Sequence, residues 1–187
     1  MLVILDRDGV INQYTGEYIC SLADWHPLPG AIKAIARLCQ AGHQVAVATN
    51  QSGVGRGYYS EAVLAQMHDR LCTLVSAEGG QIAHIAWCPH RPDQGCHCRK
   101  PGPGLLEAIR DALGLPDLAG SIMVGDSRSD LEAALRGGCQ PYLVRTGNGR
   151  VTEAGLRQNP LPVNVPTYDH LAALVDDLLN RHGAVSG

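Results

Sequence analysis

The chain has 187 residues and a formal net charge of -3, with 45 % hydrophobic and 18 % charged residues. This composition indicates one globular domain rather than a disordered chain, and the acidic balance, without a Lys/Arg run, argues against a nucleic-acid-binding protein. Because no run approaches the roughly 18 apolar residues of a membrane span and the N-terminus lacks a secretion signal, we expect a cytoplasmic protein that does not contact membranes.

Short apolar segments alternate with helical patterns along the chain. In chain order they predict strands at 2–5, 45–48, 82–87, 121–124 and 141–144, and helices at 31–39, after Ser60, after Pro103, at 130–135 and at 168–179. Such alternation predicts an α/β protein, with a Rossmann-like parallel sheet flanked by helices. We expect a single domain over 1–182 and a frayed tail at 183–187.

Polar residues follow four of the predicted strands, at Asp6, Thr49, Cys88 and Asp126. In open α/β sheets, ligands bind outside the carboxyl ends of the strands. We therefore expect these four positions to converge on one site.

The first of these positions begins the sequence Asp6-Arg7-Asp8-Gly9. One carboxylate of such a pair can attack a phosphoryl group, forming an aspartyl-phosphate, while the other shuttles protons. A hard cation such as Mg²⁺ relieves the repulsion between the attacking carboxylate and the phosphate. Taken alone, the pair is also consistent with solvated acids in a turn.

Four other polar residues indicate a catalytic site only when they are considered together. Asp126 could complete a metal site, and Asp130 could orient its neighbours or be an acid favoured by a helix N-terminus. Thr49 could hold a phosphate through its hydroxyl and nearby N–H groups, or form an ordinary turn. Lys100 could neutralise phosphate charge or be a surface lysine.

Three of the seven cysteines lie close together with histidines in the segment 88–98. Cys88, His90, Cys96 and Cys98 provide four sulfur and nitrogen ligands, which suit tetrahedral, structural Zn²⁺. Zinc would stabilise a loop that has no hydrophobic core of its own. His97 is a rival ligand, and a disulfide or free thiols are the alternatives.

These motifs, in this order, resemble those of the haloacid dehalogenase (HAD) superfamily of phosphatases, over residues 2 to about 146. The resemblance implies Asp6 as nucleophile and Asp8 as general acid/base. It also implies Mg²⁺ held by Asp6, the Asp8 backbone carbonyl and Asp126, with Thr49 and Lys100 steadying the phosphoryl group. The gaps between the motifs leave no room for the family's cap domain, so we expect an open, capless site.

The metal loop resembles that of a small zinc-containing subgroup, which includes heptose-1,7-bisphosphate 7-phosphatases and histidinol-phosphate phosphatases. The segments 49–57 and 143–147 resemble the heptose enzymes, whereas the short zinc loop resembles the histidinol enzymes, and Ser127 stands where heptose enzymes often have Lys. The resemblance implies substrate contacts by Tyr14, Thr15, Gly16, Glu17, Tyr18, Asn50, Gln51, Ser52, Arg56 and Arg99.

The favoured hypothesis is therefore a phosphatase that removes the 7-phosphate of D-glycero-D-manno-heptose 1,7-bisphosphate for lipopolysaccharide or surface-glycan assembly. Histidinol-phosphate phosphatase is the alternative. A polynucleotide 3′-phosphatase is disfavoured by the acidic charge, and a non-catalytic zinc-loop binding module by the complete set of motifs. With no exposed apolar seam evident, we expect a monomer.

Overall fold

The computed structural model describes residues 1–183 of the chain. The predicted frayed tail lies outside the described residues, apart from Gly183, which ends the last helix. Six strands form one sheet in the order β3-β2-β1-β4-β5-β6, and every neighbouring pair is parallel. The strands are β1 (Leu2–Leu5), β2 (Gln44–Asn50), β3 (Ile82–Cys88), β4 (Ile122–Gly125), β5 (Gln140–Val144) and β6 (Thr167–Tyr168).

Seven α-helices connect the strands or follow them in the described part of the chain. They are α1 (Ala31–Gln40), α2 (Ser52–Gly55), α3 (Glu61–Ala77), α4 (Gly104–Ala112), α5 (Arg128–Gly137), α6 (Gly149–Gln158) and α7 (Leu171–Gly183). The predicted cap of α3 is present, because the Ser60 hydroxyl accepts a hydrogen bond from the Val63 N–H at 3.2 Å.

The hydrophobic core is divided by the sheet into two layers. Side chains of a strand point alternately to opposite faces. In β1, Val3 and Leu5 therefore pack beneath α1, α3 and α7, whereas Leu2 and Ile4 pack beneath α4 and α5. Both faces of the sheet are covered, as the alternating pattern predicts, and the polar carboxyl ends of the strands are left to form a site.

The structure corrects several predicted boundaries. The strand predicted at 45–48 extends from Gln44 to Asn50, and α2, which was not predicted, begins at Ser52. The last helix begins at Leu171, because Tyr168 belongs to β6. Helix α6 is missing from the prediction because it contains few apolar residues, and only Gly149 of its residues is buried.

The connections that could hold a cap domain are short. Among the described residues, a single 3₁₀ turn (Leu22–Asp24) and α1 lie between β1 and β2, and only α2 and α3 lie between β2 and β3. The site at the strand ends is therefore bordered by loops, as expected. Within residues 1–183, no helix is long and apolar enough to cross a membrane.

Candidate active site

The carboxyl ends of β1, β2 and β4 converge on a cavity of about 340 Å³. Twelve of the predicted site residues line it: Asp6, Asp8, Tyr14, Gly16, Tyr18, Thr49, Asn50, Gln51, Ser52, Arg99, Lys100 and Asp126. Three others predicted to contact substrate, Thr15, Glu17 and Arg56, are exposed and do not line it. The cavity is also lined by four residues for which the sequence predicted no site role: Ile19, Tyr59, Ser129 and Asn148.

Lys100 is buried at the floor of this cavity, with 3 % of its surface exposed. Its Nζ donates to Asp6 Oδ1 at 2.8 Å and lies 2.6 Å from Asp130 Oδ1. Burial alone would lower the pKa of Lys100, but the two carboxylates outweigh burial and raise the pKa above its usual value. The surface-lysine interpretation is therefore wrong, and Lys100 supplies a fixed positive charge beside Asp6.

Three buried carboxylates, those of Asp6, Asp126 and Asp130, lie together beside Lys100. Ligand oxygens of Asp6, Asp126 and Asp130 all lie within 4.8 Å of one another. Burial, together with repulsion from Asp130, raises the pKa of Asp6 well above its usual value and that of Asp126 to about 7. Such an excess of carboxylate charge fits a hard divalent cation such as Mg²⁺.

Asp130 differs from the other two acids because both of its oxygens are engaged by protein groups. Oδ1 pairs with Lys100, while Oδ2 accepts from the backbone N–H groups of Asp126 and Ser127 at 3.2 and 3.0 Å. Oδ2 also accepts from the Ser127 hydroxyl at 2.7 Å, in a capping box at the start of α5. Asp6 and Asp126 are therefore the carboxylates with capacity to hold a metal.

The loop between β5 and α6 supports Asp126. The Asn148 N–H donates to Asp126 Oδ2 at 2.7 Å, and the Thr152 hydroxyl donates to the Asp126 backbone carbonyl at 2.7 Å. Thr146 ties the same loop to the first motif, since its hydroxyl donates to the Gly9 carbonyl at 2.6 Å. The sequence signal that could have revealed Asn148 is its place just beyond the carboxyl end of a strand.

The Asp8 carboxylate lies in a different electrostatic environment from Asp6. Its Oδ1 accepts from Arg7 Nε at 2.9 Å and Asn12 Nδ2 at 3.0 Å, and its Oδ2 accepts from Gln51 Nε2 at 3.0 Å. Burial opposes ionisation of Asp8, but Arg7 and the hydrogen bonds outweigh burial and hold its pKa below the usual value. Two acids two residues apart thus have pKa shifts of opposite sign, because Asp6 is buried beside other carboxylates and Asp8 is paired with Arg7.

Gln51 connects Asp8 to two hydroxyl groups of the site. Its Nε2 also donates to Thr49 Oγ1 at 2.8 Å, and its Oε1 accepts from the Tyr59 hydroxyl at 2.5 Å. Thr49 is the penultimate residue of β2 and is buried, so the simple-turn interpretation of this residue is wrong. Its hydroxyl lies among the groups that line the cavity floor.

Tyr18, which lines the cavity, packs against a second exposed tyrosine, Tyr58. The rings of Tyr18 and Tyr58 meet edge to face with centroids 5.1 Å apart, and the Arg56 guanidinium carbon lies 6.0 Å from the Tyr18 centroid. The hydroxyls of Tyr18 and Ser52 lie 3.3 Å apart. Arg56 is therefore held at the mouth of the site, although it does not line the cavity.

The predicted zinc ligands come together beside this site. Ligand atoms of Cys88, His90, Cys96 and Cys98 all lie within 4.8 Å of one another. The cysteines are free, and the rival His97 instead contacts Glu107 Oε2 at 2.6 Å. Three sulfurs and one imidazole nitrogen at this spacing fit tetrahedral Zn²⁺, and none of the three cysteines forms a disulfide in the structure.

Comparison with known proteins agrees with this geometry. A family model described as HAD-hydrolase-like matches residues 97–174. A D-glycero-beta-D-manno-heptose-1,7-bisphosphate 7-phosphatase of Pseudomonas aeruginosa is 54 % identical over 178 residues, 95 % of this chain and 97 % of that protein. The chain belongs to this family of HAD phosphatases. It is accordingly a phosphoric monoester hydrolase.

Other members of the heptose-bisphosphatase family extend the agreement to three dimensions. The similarly named enzyme of Pseudomonas putida is 52 % identical over 95 % of this chain and 99 % of its own length. The crystal structure of D,D-heptose 1,7-bisphosphate phosphatase from Bordetella bronchiseptica, complexed with magnesium and phosphate, has a TM-score of 0.90 and 47 % identity. That match covers 96 % of this chain and 98 % of the other. The resemblance and the fold expected from the motifs are thereby confirmed.

Proposed function

We propose that this chain hydrolyses the 7-phosphate of D-glycero-β-D-manno-heptose 1,7-bisphosphate. The observation that carries the proposal is its 54 % identity, over nearly the full length of both chains, to a relative named for the β-anomer. The Pseudomonas putida relative has the same name. Neither is named for histidinol phosphate or for a binding function, so those alternatives are not favoured.

In the first half of the proposed reaction, the Asp6 carboxylate attacks the phosphorus of the 7-phosphate. A new bond forms between the Asp6 oxygen and phosphorus, and the bond from phosphorus to the sugar O7 breaks. Asp8 donates a proton to O7, which leaves as a neutral hydroxyl. A bound phosphate close to Asp8 favours its protonated form, since like charges oppose ionisation.

In the second half, water attacks the phosphorus of the aspartyl-phosphate while Asp8 accepts the proton of that water. Inorganic phosphate leaves and the Asp6 carboxylate is restored. Lys100 and Thr49 stabilise the charge that spreads over the phosphoryl oxygens, because such transition states need positioning and fixed positive charge. The placement of Lys100 Nζ, 2.8 Å from Asp6 Oδ1, supports this role.

Asp6, Asp126 and the backbone carbonyl of Asp8 would hold Mg²⁺ in this scheme. When bound, Mg²⁺ neutralises charge, so that an ionised Asp6 and an anionic phosphate can approach each other. The shortage of positive charge beside the carboxylates supports this assignment, since among the described residues Lys100 is the cation that pairs with them. The rim residues Tyr14, Gly16, Tyr18, Asn50, Ser52 and Arg99 would contact the sugar and its second phosphate, with Thr15, Glu17 and Arg56 farther out.

The raised pKa of Asp126 predicts that Mg²⁺ stabilises the protein more at higher pH. Burial raises this pKa from 3.8 to about 7, so the metal-free folded state binds more protons than the unfolded chain in that range. Asp126 therefore lowers the stability of the metal-free protein as the pH rises from 3.8 towards 7. Because Mg²⁺ binds the ionised cluster, the increase in Tm on adding Mg²⁺ should be larger near about pH 8 than near about pH 6.

Thermal unfolding with and without Mg²⁺ at both pH values measures this dependence. Asp126→Asn is the control, since it should lose most of the Mg²⁺-dependent increase at both pH values. An equal increase in Tm at the two pH values in the unaltered protein would contradict the predicted ionisation of the cluster.

Gly9 and Gly42 provide a matched test of the support for Asp126. Both have a positive φ, of 86° and 82°, but a Cβ at Gly9 would lie 2.2 Å from Asp126 Oδ2, whereas one at Gly42 would meet nothing within 4 Å. Alanine at either position should lower stability by about 1–2 kcal/mol through backbone strain. Only Gly9→Ala should also raise the Mg²⁺ concentration needed for half-maximal activity, because it displaces the Asp126 carboxylate.

Denaturant unfolding and Mg²⁺ titrations of activity separate these two effects. Equal Mg²⁺ requirements in Gly9→Ala and Gly42→Ala would argue against Asp126 as a metal ligand.

The substrate is tested by measuring phosphate release from the β- and α-anomers of heptose 1,7-bisphosphate and from histidinol phosphate, side by side. We expect the highest kcat/KM for the β-anomer, with the phosphate at carbon 7 released and that at carbon 1 retained. A higher kcat/KM for histidinol phosphate would overturn the proposed substrate.

We also infer that the chain acts as a single-domain monomer in the cytoplasm, with Zn²⁺ as a structural ion in the loop 88–98. One sheet with two core layers extends across the described residues, which supports a single domain. A doubly phosphorylated sugar is retained inside the cell by its charge, which supports a cytoplasmic enzyme.

A further inference from the structure

We propose that Arg7 is a positioning residue, which fixes the Asp8 carboxylate in the orientation from which it transfers a proton to the sugar oxygen. This inference rests on the proposed function, because it assigns Arg7 a task only if Asp8 is the general acid/base. Arg7 lies between the two acids of the first motif and does not line the cavity. It therefore acts through Asp8 and not on the substrate.

Arg7 is held from two sides. Its side chain has no exposed surface and is among the largest that are fully buried. One edge of the guanidinium faces Asp8, with Nε and Nη2 each 2.9 Å from Asp8 Oδ1. The remaining nitrogen, Nη1, faces α3, where it lies 3.7 Å from Met67 Sδ and 3.4 Å from His68 Nε2. Helix α3 thus helps to hold the Arg7 guanidinium in place, and the guanidinium in turn holds the Asp8 carboxylate.

The contacts divide the two oxygens of Asp8 between different tasks. Oδ1 accepts from Arg7 Nε and Asn12 Nδ2 and forms an ion pair with Arg7 Nη2, whereas Oδ2 accepts only from Gln51 Nε2. Arg7 Nη2 also donates to Gln51 Oε1 at 3.2 Å, so the same guanidinium orients the amide that holds Oδ2. Because Oδ1 is saturated, Oδ2 is the oxygen that retains capacity to carry the transferred proton.

A purely structural role would not explain the choice of a charged side chain here. Burying a guanidinium is unfavourable unless it is paired and hydrogen-bonded, and apolar side chains fill such space at least as well. Among the described residues, Asp8 is the carboxylate with which Arg7 forms an ion pair. The planar fork of arginine also fixes the plane of its partner, which an ammonium group does not do.

The test compares a substrate that needs a general acid with one that does not. The leaving group of heptose 1,7-bisphosphate is an alcohol, which must be protonated as it departs. The leaving group of para-nitrophenyl phosphate is a stable anion, which departs without a proton. The kcat/KM values report the steps up to the first product release, so the later action of Asp8 as a base does not enter the comparison.

We expect Arg7→Met to lower kcat/KM for the heptose substrate by about 10²-fold, the loss typical of a misplaced catalytic group. For para-nitrophenyl phosphate the loss should stay within about threefold, since general-acid assistance is not needed there. Arg7→Lys should recover part of the loss on the heptose substrate. In an Asp8→Asn background, Arg7→Met should lower kcat/KM no further, because the group it positions is already gone. Arg37→Met is the matched control, as Arg37 forms an exposed ion pair with Asp176.

An equal loss on both substrates by a folded Arg7→Met protein would overturn the inference, and so would unchanged activity on both. If Arg7→Met does not fold, the same two-substrate comparison is made with Arg7→Lys, for which an equal loss on both substrates is again the contradicting result. If Asp8→Asn itself loses equally on both substrates, the general-acid role in the proposed function fails, which is a distinguishable outcome.

Discussion

Asp6→Asn is expected to lower kcat by at least about 10⁴-fold, because an amide cannot form the acyl-phosphate through which the reaction is proposed to proceed. The fold should be unaffected. Burial and Asp130 raise the pKa of Asp6 well above its usual value, so a neutral side chain relieves repulsion in the metal-free protein. Lys100 keeps its contact with Asp130 at 2.6 Å. Steady-state kinetics and thermal unfolding of the metal-free protein measure both effects.

Asp111→Asn is the matched control for this prediction, since Asp111 is exposed and pairs only with its neighbour Arg110 among the contacts of the described residues. It should retain the kcat of the unaltered protein. A Tm for Asp6→Asn well below that of the control would show that Asp6 has a structural role. Turnover within about tenfold of the unaltered protein would exclude it as the nucleophile.

Cys96→Ser is expected to produce the largest loss of stability. The substitution removes one thiolate, so that three of the four zinc ligands remain. Zinc binding stabilises the folded loop that supplies the ligands, so weaker zinc binding lowers the stability of the protein. Most of the chain folds around its own hydrophobic core, so we expect a loss of about 3 kcal/mol, well below the roughly 10–16 kcal/mol of an isolated zinc finger. For a chain of this length, that loss corresponds to a decrease in Tm of roughly 6–12 °C.

Metal analysis of the purified protein and thermal unfolding test this prediction. Cys72→Ser is the control, because Cys72 is an exposed thiol on α3 and is not part of the cluster. It should keep both the zinc content and the Tm. A zinc-free Cys96→Ser protein with an unchanged Tm would contradict a structural role for the cluster.

Zinc loss should also affect the active site, through the residues that follow the cluster. The Arg99 N–H donates to Cys96 Sγ at 3.3 Å, and Arg99 Nη1 donates to the His90 carbonyl at 3.2 Å. Lys100 follows directly, and its backbone N–H donates to Asn50 Oδ1 at 3.0 Å. The loop thus connects the cluster to the lysine that contacts Asp6.

The fold could be predicted where the sequence has a strong period. The apolar runs of β1, β2 and β4, and the apolar face of α3, gave elements that the structure confirms, with boundaries shifted by a few residues. Helix α6 and strand β6 were not predicted, because α6 contains few apolar residues and β6 is two residues long. Both are stabilised by tertiary contacts, such as the hydrogen bond from Thr152 to the Asp126 carbonyl.

Site residues that directly follow a strand could be identified from the sequence. Residues that contact the site only by supporting another residue were harder to identify. Asp6, Thr49 and Asp126 could be selected because each lies at a strand end in a recognisable motif. Tyr59 carries no such signal and reaches the site by a hydrogen bond to Gln51. Asn148 lies just beyond a strand end but in no recognisable motif, and it reaches the site through its backbone N–H. Distances between side chains far apart in sequence, as between Lys100 and Asp130, are set by the packing of whole elements.

In the proposed reaction, Asp6 carries the phosphoryl group during hydrolysis of heptose 1,7-bisphosphate. The most direct test is to quench the protein with acid during turnover of the β-anomer with Mg²⁺, and to reduce it with borohydride, which converts an acyl-phosphate to an alcohol. Peptide mass spectrometry then locates the reduced residue. We predict homoserine in place of Asp6, dependent on substrate and absent from Asp6→Asn. Reduction at Asp8 or another residue, or none under conditions where the protein turns over, would contradict Asp6 as the residue that carries the phosphoryl group.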